Sequence, residues 1–105
     1  MDKHYFRKKD SCFNFASVEY DSTTNKIGEM VVIREGQPPL VYDKRDREGY
    51  SVLCDIVLAL FEPLCQASAQ KAGLKMKELS SWEEVKELEP NQLTQIEIAI
   101  NDKKS

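Results

Sequence analysis

From residue 51 to 72 the chain reads SVLCDIVLALFEPLCQASAQKA, the one stretch in which apolar residues follow each other almost without interruption. At 100° per residue, Ser51, Asp55, Ala59, Glu62, Gln66 and Gln70 fall on one narrow stripe, and Val52, Leu53, Ile56, Val57, Leu58, Leu60, Phe61, Leu64 and Cys65 fill most of the remainder. The pattern predicts a central helix covered on nearly every side, with the Asp55–Glu62 stripe as its wet side. A straight rod over residues 47–72 measures roughly 39 Å, whereas a compact chain of this length is only about 33 Å across. Pro63 removes the hydrogen bond to the Ala59 carbonyl and crowds it, so a kink or break is expected there. Gly73 followed by Leu74 has the form of a left-handed C-terminal cap.

Ahead of this helix the pattern is that of strands. CFNFASVEY, residues 12–20, is rich in aromatic and β-branched residues, and the turn-forming DSTTNKIG follows it. EMVVIRE, residues 29–35, predicts a second strand antiparallel to the first. Gly36-Gln37-Pro38-Pro39 turns the chain, and Leu40-Val41-Tyr42 reads as a short third strand. Residues 1–10 show no clear period and read as a flexible basic arm or an edge strand.

Behind the helix, Ser80 to Glu83 and Ser81 to Glu84 form two overlapping capping boxes, which predict a short second helix burying Trp82, Val85 and Leu88 and ending at Glu89-Pro90-Asn91. In LTQIEIAIND the residues Ile96, Ile98 and Ile100 alternate as in a strand, while Leu93, Ile96 and Ile100 also fit a helical face. The strand uses every isoleucine, and it is the favoured reading. The expected fold is α+β. A small antiparallel sheet of three N-terminal strands and a C-terminal strand carries one long, Pro-kinked helix and a short helix, both on one face. Residues 1–105 are read as one domain.

Composition narrows the function classes. The net charge of −3 arises entirely after residue 50, since the first fifty residues balance; nucleic acid is therefore an unlikely partner. Three cysteines without a paired CxxC spacing, and no secretory leader behind the basic start, point to a reduced cytoplasmic chain with buried structural thiols. Asp55, Glu62 and Pro63 interrupt the apolar run, which argues against a membrane span.

Candidate chemistry is sparse. His4 is the single histidine, and the four glycines stand apart, so neither a histidine-based nucleophile pair nor a phosphate-cradling loop is present. Asp43, Asp46 and Glu48 form the best carboxylate cluster for a divalent cation, although Arg45 and Arg47 among them suit mutual pairing better. No cofactor or metal is expected. The clearest charge feature is acidic: Glu78, Glu83, Glu84, Glu87, Glu89 and Glu97 face only Lys86. Trp82, Glu83, Glu84 and Glu87 thus predict a protein-binding face for a basic partner, as in an inhibitor or immunity factor. The alternative is a homo-oligomeric assembly subunit that pairs through the central helix. If the end of the chain is helical, WEEVKELEPNQLTQIEIAI resembles the helical ends of phage tail-assembly chaperones, which implies an assembly role. A metal-dependent enzyme using Asp43, Asp46 and Glu48 is the third reading.

Overall fold

The computed structural model describes residues 2–42 and 47–104. The fold is α+β: a five-stranded antiparallel sheet with two helices. In chain order the elements are β1 (Asp2–Lys8), β2 (Ser11–Asp21), β3 (Lys26–Ile33), β4 (Leu40–Val41), α1 (Arg47–Lys71), β5 (Trp82–Val85) and α2 (Pro90–Lys104). The strands lie in the order β4-β3-β2-β1-β5. From Asp2 onward the N-terminal segment is no loose arm, because β1 is an interior strand paired on both sides and Phe6 is fully buried.

The β2–β3 hairpin shows why the sequence turns where it does. The Asp21 carboxylate accepts the Thr23 amide at 2.9 Å, and Asn25 takes the left-handed conformation (φ 56°) that asparagine tolerates. The Tyr20 hydroxyl donates to Asn25 Oδ1 at 2.9 Å and braces the turn.

Cross-strand pairing sorts the side chains into two sets. Phe6, Ala16, Val32 and Leu40 form one row across the sheet, and with Val18, Met30 and Trp82 they pack under Leu53, Ile56 and Ala59 of α1. Tyr5, Val31 and Val41 belong to the opposite face, where Phe15, Ile33, Leu88, Ile96 and Ala99 close a second core beneath α2. The helices therefore cover opposite faces, and the expectation of two layers is corrected to three. The continuous run Met30-Val31-Val32-Ile33 carries the reason. Successive strand residues point to opposite sides, so four buried apolar residues in a row require cover on both.

Two further expectations change. The segment at Trp82 is the strand β5 and not a helix, since β1 offers an open edge that pairs Tyr5–Lys8 with Trp82–Val85. The end of the chain is the helix α2 and not a strand. Pro90 occupies its first position, where a missing N–H costs nothing, and Gln92 Oε1 reaches back to accept the Glu89 amide at 3.1 Å. Pro63 lies inside α1, which continues through it as one element. The length mismatch is met by elongation, with extents of 51 × 30 × 25 Å and every residue from 63 to 68 exposed. That end is closed as expected: Gly73 (φ 71°) lets the Leu74 amide reach the Ala69 carbonyl at 2.8 Å and its own amide reach Gln70 at 3.0 Å.

The packing predicts a contrast within one helix. Ile56→Ala should cost about 2–5 kcal/mol in urea unfolding, and Leu64→Ala, two turns on, should stay within about 0.5 kcal/mol. Equal losses would mean that both sides of α1 bear on the core.

Candidate functional site

The docked side of α1 is only partly the one the hydrophobic pattern suggests. Leu53, Ile56, Ala59 and Glu62 are buried, with Glu62 only 6% exposed. Tyr50, Leu58, Phe61 and Leu64 are exposed, at 61%, 43%, 47% and 68%, and Cys54 and Cys65 are exposed beside them. Within the stripe expected to be wet, Ala59 and Glu62 are buried and Asp55 is half-buried, while Ser51, Gln66 and Gln70 are exposed. The two thiols, expected to be buried, face solvent.

Polar contacts account for the difference. Asp55 Oδ1 accepts the Ser80 hydroxyl at 2.8 Å and the Ser81 amide at 3.1 Å, and Oδ2 accepts the Ser81 hydroxyl. Ser80 Oγ in turn accepts the Trp82 amide at 3.0 Å, which carries the chain into β5. Two turns on, both Glu62 oxygens receive Lys9 Nζ, at 3.0 and 2.9 Å, and Oε1 also accepts the Leu79 amide at 3.1 Å. The serines read as helix caps thus bind the neighbouring helix instead. Burial works to raise the Asp55 pKa, but the Ser81 and Ser80 hydroxyls and the Ser81 amide outweigh it and hold the group below its ordinary 3.8. The Lys9 ammonium holds Glu62 below its ordinary 4.5, against burial and with help from the Leu79 amide. Both carboxylates spend their acceptor capacity inside the molecule, and their role is to position segments.

The sequence-predicted partner face is divided. Trp82 is 5% exposed and sits in the core beneath α1, so it cannot serve as an exposed anchor. Glu83 and Glu84 are exposed but point to opposite faces of β5, Glu83 across from Arg7 and Glu84 across from Phe6. Glu84 Oε1 lies 3.1 Å from His4 Nδ1. Glu87 is exposed in the connection that follows β5. Of the proposed metal set, Asp43 and Asp46 lie outside the described residues, as does the Glu48 side chain. Among the described residues no three His, Cys, Asp or Glu side chains converge to hold a metal ion.

Two of the open grooves among the described residues lie beside the helices. One, of about 590 Å³ beside α2, has Phe13, Phe15, Ile33 and Ile98 in its walls and also Arg7, whose Nε is buried without a hydrogen-bond partner. The other, of about 550 Å³ beside α1, is lined by residues including Lys8, Asn14, Asp55, Leu58 and Trp82.

The outward side of α1 is the most unusual feature of the surface. Gly49–Lys71 is long and apolar enough to cross a membrane by length and composition, with a mean hydropathy of 1.6 over its most apolar window, and only 22% of that window is buried. Asp55 and Glu62 are the only charged residues from 50 to 70, and both are tied inward. The outward apolar residues were visible in the sequence, but the signal that they face out was not in their hydrophobicity. It lay in the hydroxyls and the ammonium that claim the other side. No protein-family model, curated protein or solved structure matches the chain.

The two carboxylates make stability depend on pH. Their folded pKa values are lowered, so on acidification the unfolded chain takes up protons first. Their contribution is complete above about pH 4.5 and is lost as pH falls through the folded values. Urea midpoints measured from pH 7 to pH 3 should fall below about pH 4.5 in the parent. Glu62→Gln should begin lower and fall less steeply; an unchanged slope would place the proton uptake on other groups.

Proposed function

We propose that this chain is a non-enzymatic assembly module that joins another protein through the outward side of α1. A single observation carries the reading: Tyr50, Cys54, Leu58, Phe61, Leu64 and Cys65 stand exposed along one helix, and no free charge interrupts them from 50 to 70. A contiguous apolar surface of this kind is costly to leave in water and marks a site of association. Such a surface offers large side chains near the centre of an interface, where most binding energy is concentrated.

The acidic reading is the weaker one. Charge without an exposed aromatic anchor steers an encounter more than it holds a complex, and Trp82 is committed to the core. Insertion of α1 across a bilayer is also the weaker reading, because it strips Asp55 and Glu62 of the Ser80, Ser81 and Lys9 contacts in a medium where a bare carboxylate costs several kcal/mol.

A photo-crosslinking amino acid tests the surface without presupposing the partner. Phe61→p-benzoylphenylalanine should give protein adducts on illumination in cells, and the same residue at exposed Asn101 should give few. Absence of any protein adduct at position 61 would remove the assembly reading.

A further inference from the structure

Six of the exposed positions on α1 form a regular series. Ser51, Cys54, Leu58, Phe61, Cys65 and Ser68 are all exposed, and they are spaced three, four, three, four and three residues apart. This is the spacing of a heptad seam, which keeps one narrow stripe turned toward a facing helix. The stripe lies opposite Ile56 and Ala59, the residues that hold α1 on the sheet. Read forward, the seam is Ser, Cys, Leu, Phe, Cys, Ser; read backward it has the same order of sizes and chemistry, with Leu and Phe exchanged at the centre.

We infer that the partner on this face is a second copy of the chain, docked antiparallel about a two-fold axis between residues 59 and 60. The inference rests on the assembly reading above and names its partner. The axis sets Leu58 against Phe61 of the other copy, Cys54 against its Cys65, and Ser51 against its Ser68. An isologous interface must be complementary to itself, and in the reversed direction each layer of this seam pairs residues of matching size and chemistry. Parallel alignment stacks Phe on Phe and Leu on Leu, giving layers of unequal width. The antiparallel pair has equal central layers and also opposes the two helix dipoles.

Charge agrees with a second copy. A seam about 26 Å long on a helix 10–12 Å wide covers roughly 260–310 Å² per copy, so the pair falls in the class of small, transient interfaces. Leu64 and Tyr50 flank the seam and add to that area. Each copy brings no free charge to the contact, because Asp55 and Glu62 are already paired within their own chain. Two identical surfaces therefore meet without repulsion, although the chain carries a net charge of −3.

The test uses the full chain, reduced and purified, with Cys12→Ser as background. Light scattering over a micromolar dilution series should give about twice 12.1 kDa, and Phe61→Glu should return the mass to the monomer with an unchanged far-UV circular dichroism spectrum. A short bis-maleimide applied to mixed nitrogen-14 and nitrogen-15 copies should link Cys54 of one to Cys65 of the other. Cys54→Ser and Cys65→Ser should each reduce the linked dimer at least tenfold, because identical cysteines in this register lie about 16 Å apart along the axis.

Links that persist in both single-cysteine variants would mean parallel pairing and would overturn the arrangement, while leaving assembly through this face intact. A monomer at every concentration, with position 61 crosslinking to other proteins in cells, would overturn the second copy but not the assembly reading. A monomer that floats with phosphatidylcholine vesicles would assign the face to lipid. A monomer that does neither would overturn both.

Discussion

A helix with apolar residues on nearly every side has no hydrophobic reason to prefer one orientation over another, and in α1 the choice falls to Asp55 and Glu62. The two carboxylates sit seven residues apart, on the same side of the helix two turns from each other. Each meets a donor set that exists only on the sheet side: Ser80 and Ser81 for Asp55, Lys9 and the Leu79 amide for Glu62. Rotating α1 to bury Leu58 and Phe61 would place both carboxylates in water and leave the Lys9 ammonium and the Ser80 hydroxyl without their acceptors. Burying an unpaired polar group costs about 1–3 kcal/mol, and two such groups, the Lys9 ammonium and the Ser80 hydroxyl, would be stranded together. Several exposed leucine and phenylalanine contacts are needed to offset that, at about 1.5–3 kcal/mol each when fully buried.

The same contacts organise the neighbouring chain. Lys9 follows β1 directly and Ser81 precedes β5 directly, and the Lys9 amide donates to the Ser81 carbonyl at 2.9 Å. The strands that flank this junction are the pair that closes one edge of the sheet. Asp55 and Glu62 thus fix the helix, the connection after it and the last strand in one step. The second face of the sheet is left for α2, which buries Ile96 and Ala99 over Phe15, Val31 and Ile33.

Much of this was legible in the chain. Strands β2, β3 and β4, the turn at Asp21–Asn25 positions, the long helix and its Gly73 cap follow from β-branched runs, turn residues and helical period, because each is decided within a few residues. What escaped depends on partners distant in sequence. The Ser80 and Ser81 hydroxyls serve a helix cap equally well until Asp55, twenty-five residues earlier, takes them. Pro90 reads as the end of one helix or the start of another, and only the Gln92 side chain folded back on Glu89 decides for the start. The outward residues of α1 are as apolar as the inward ones, so hydrophobicity alone carries no direction. The candidate site was therefore visible as a list of residues and invisible as a surface, and Trp82, the anchor expected for the acidic face, lies in the core.

The placement of α1 and α2 on opposite faces of the sheet has a consequence for valency. Two chains joined back to back through α1 turn both α2 sides outward, one at each end of the particle. The groove beside α2, with its apolar walls and the buried Nε of Arg7, is then presented twice at a fixed separation. A target with two matching features at that span would be held with an effective concentration set by the rigid spacer, and its retention would exceed that of either groove by itself.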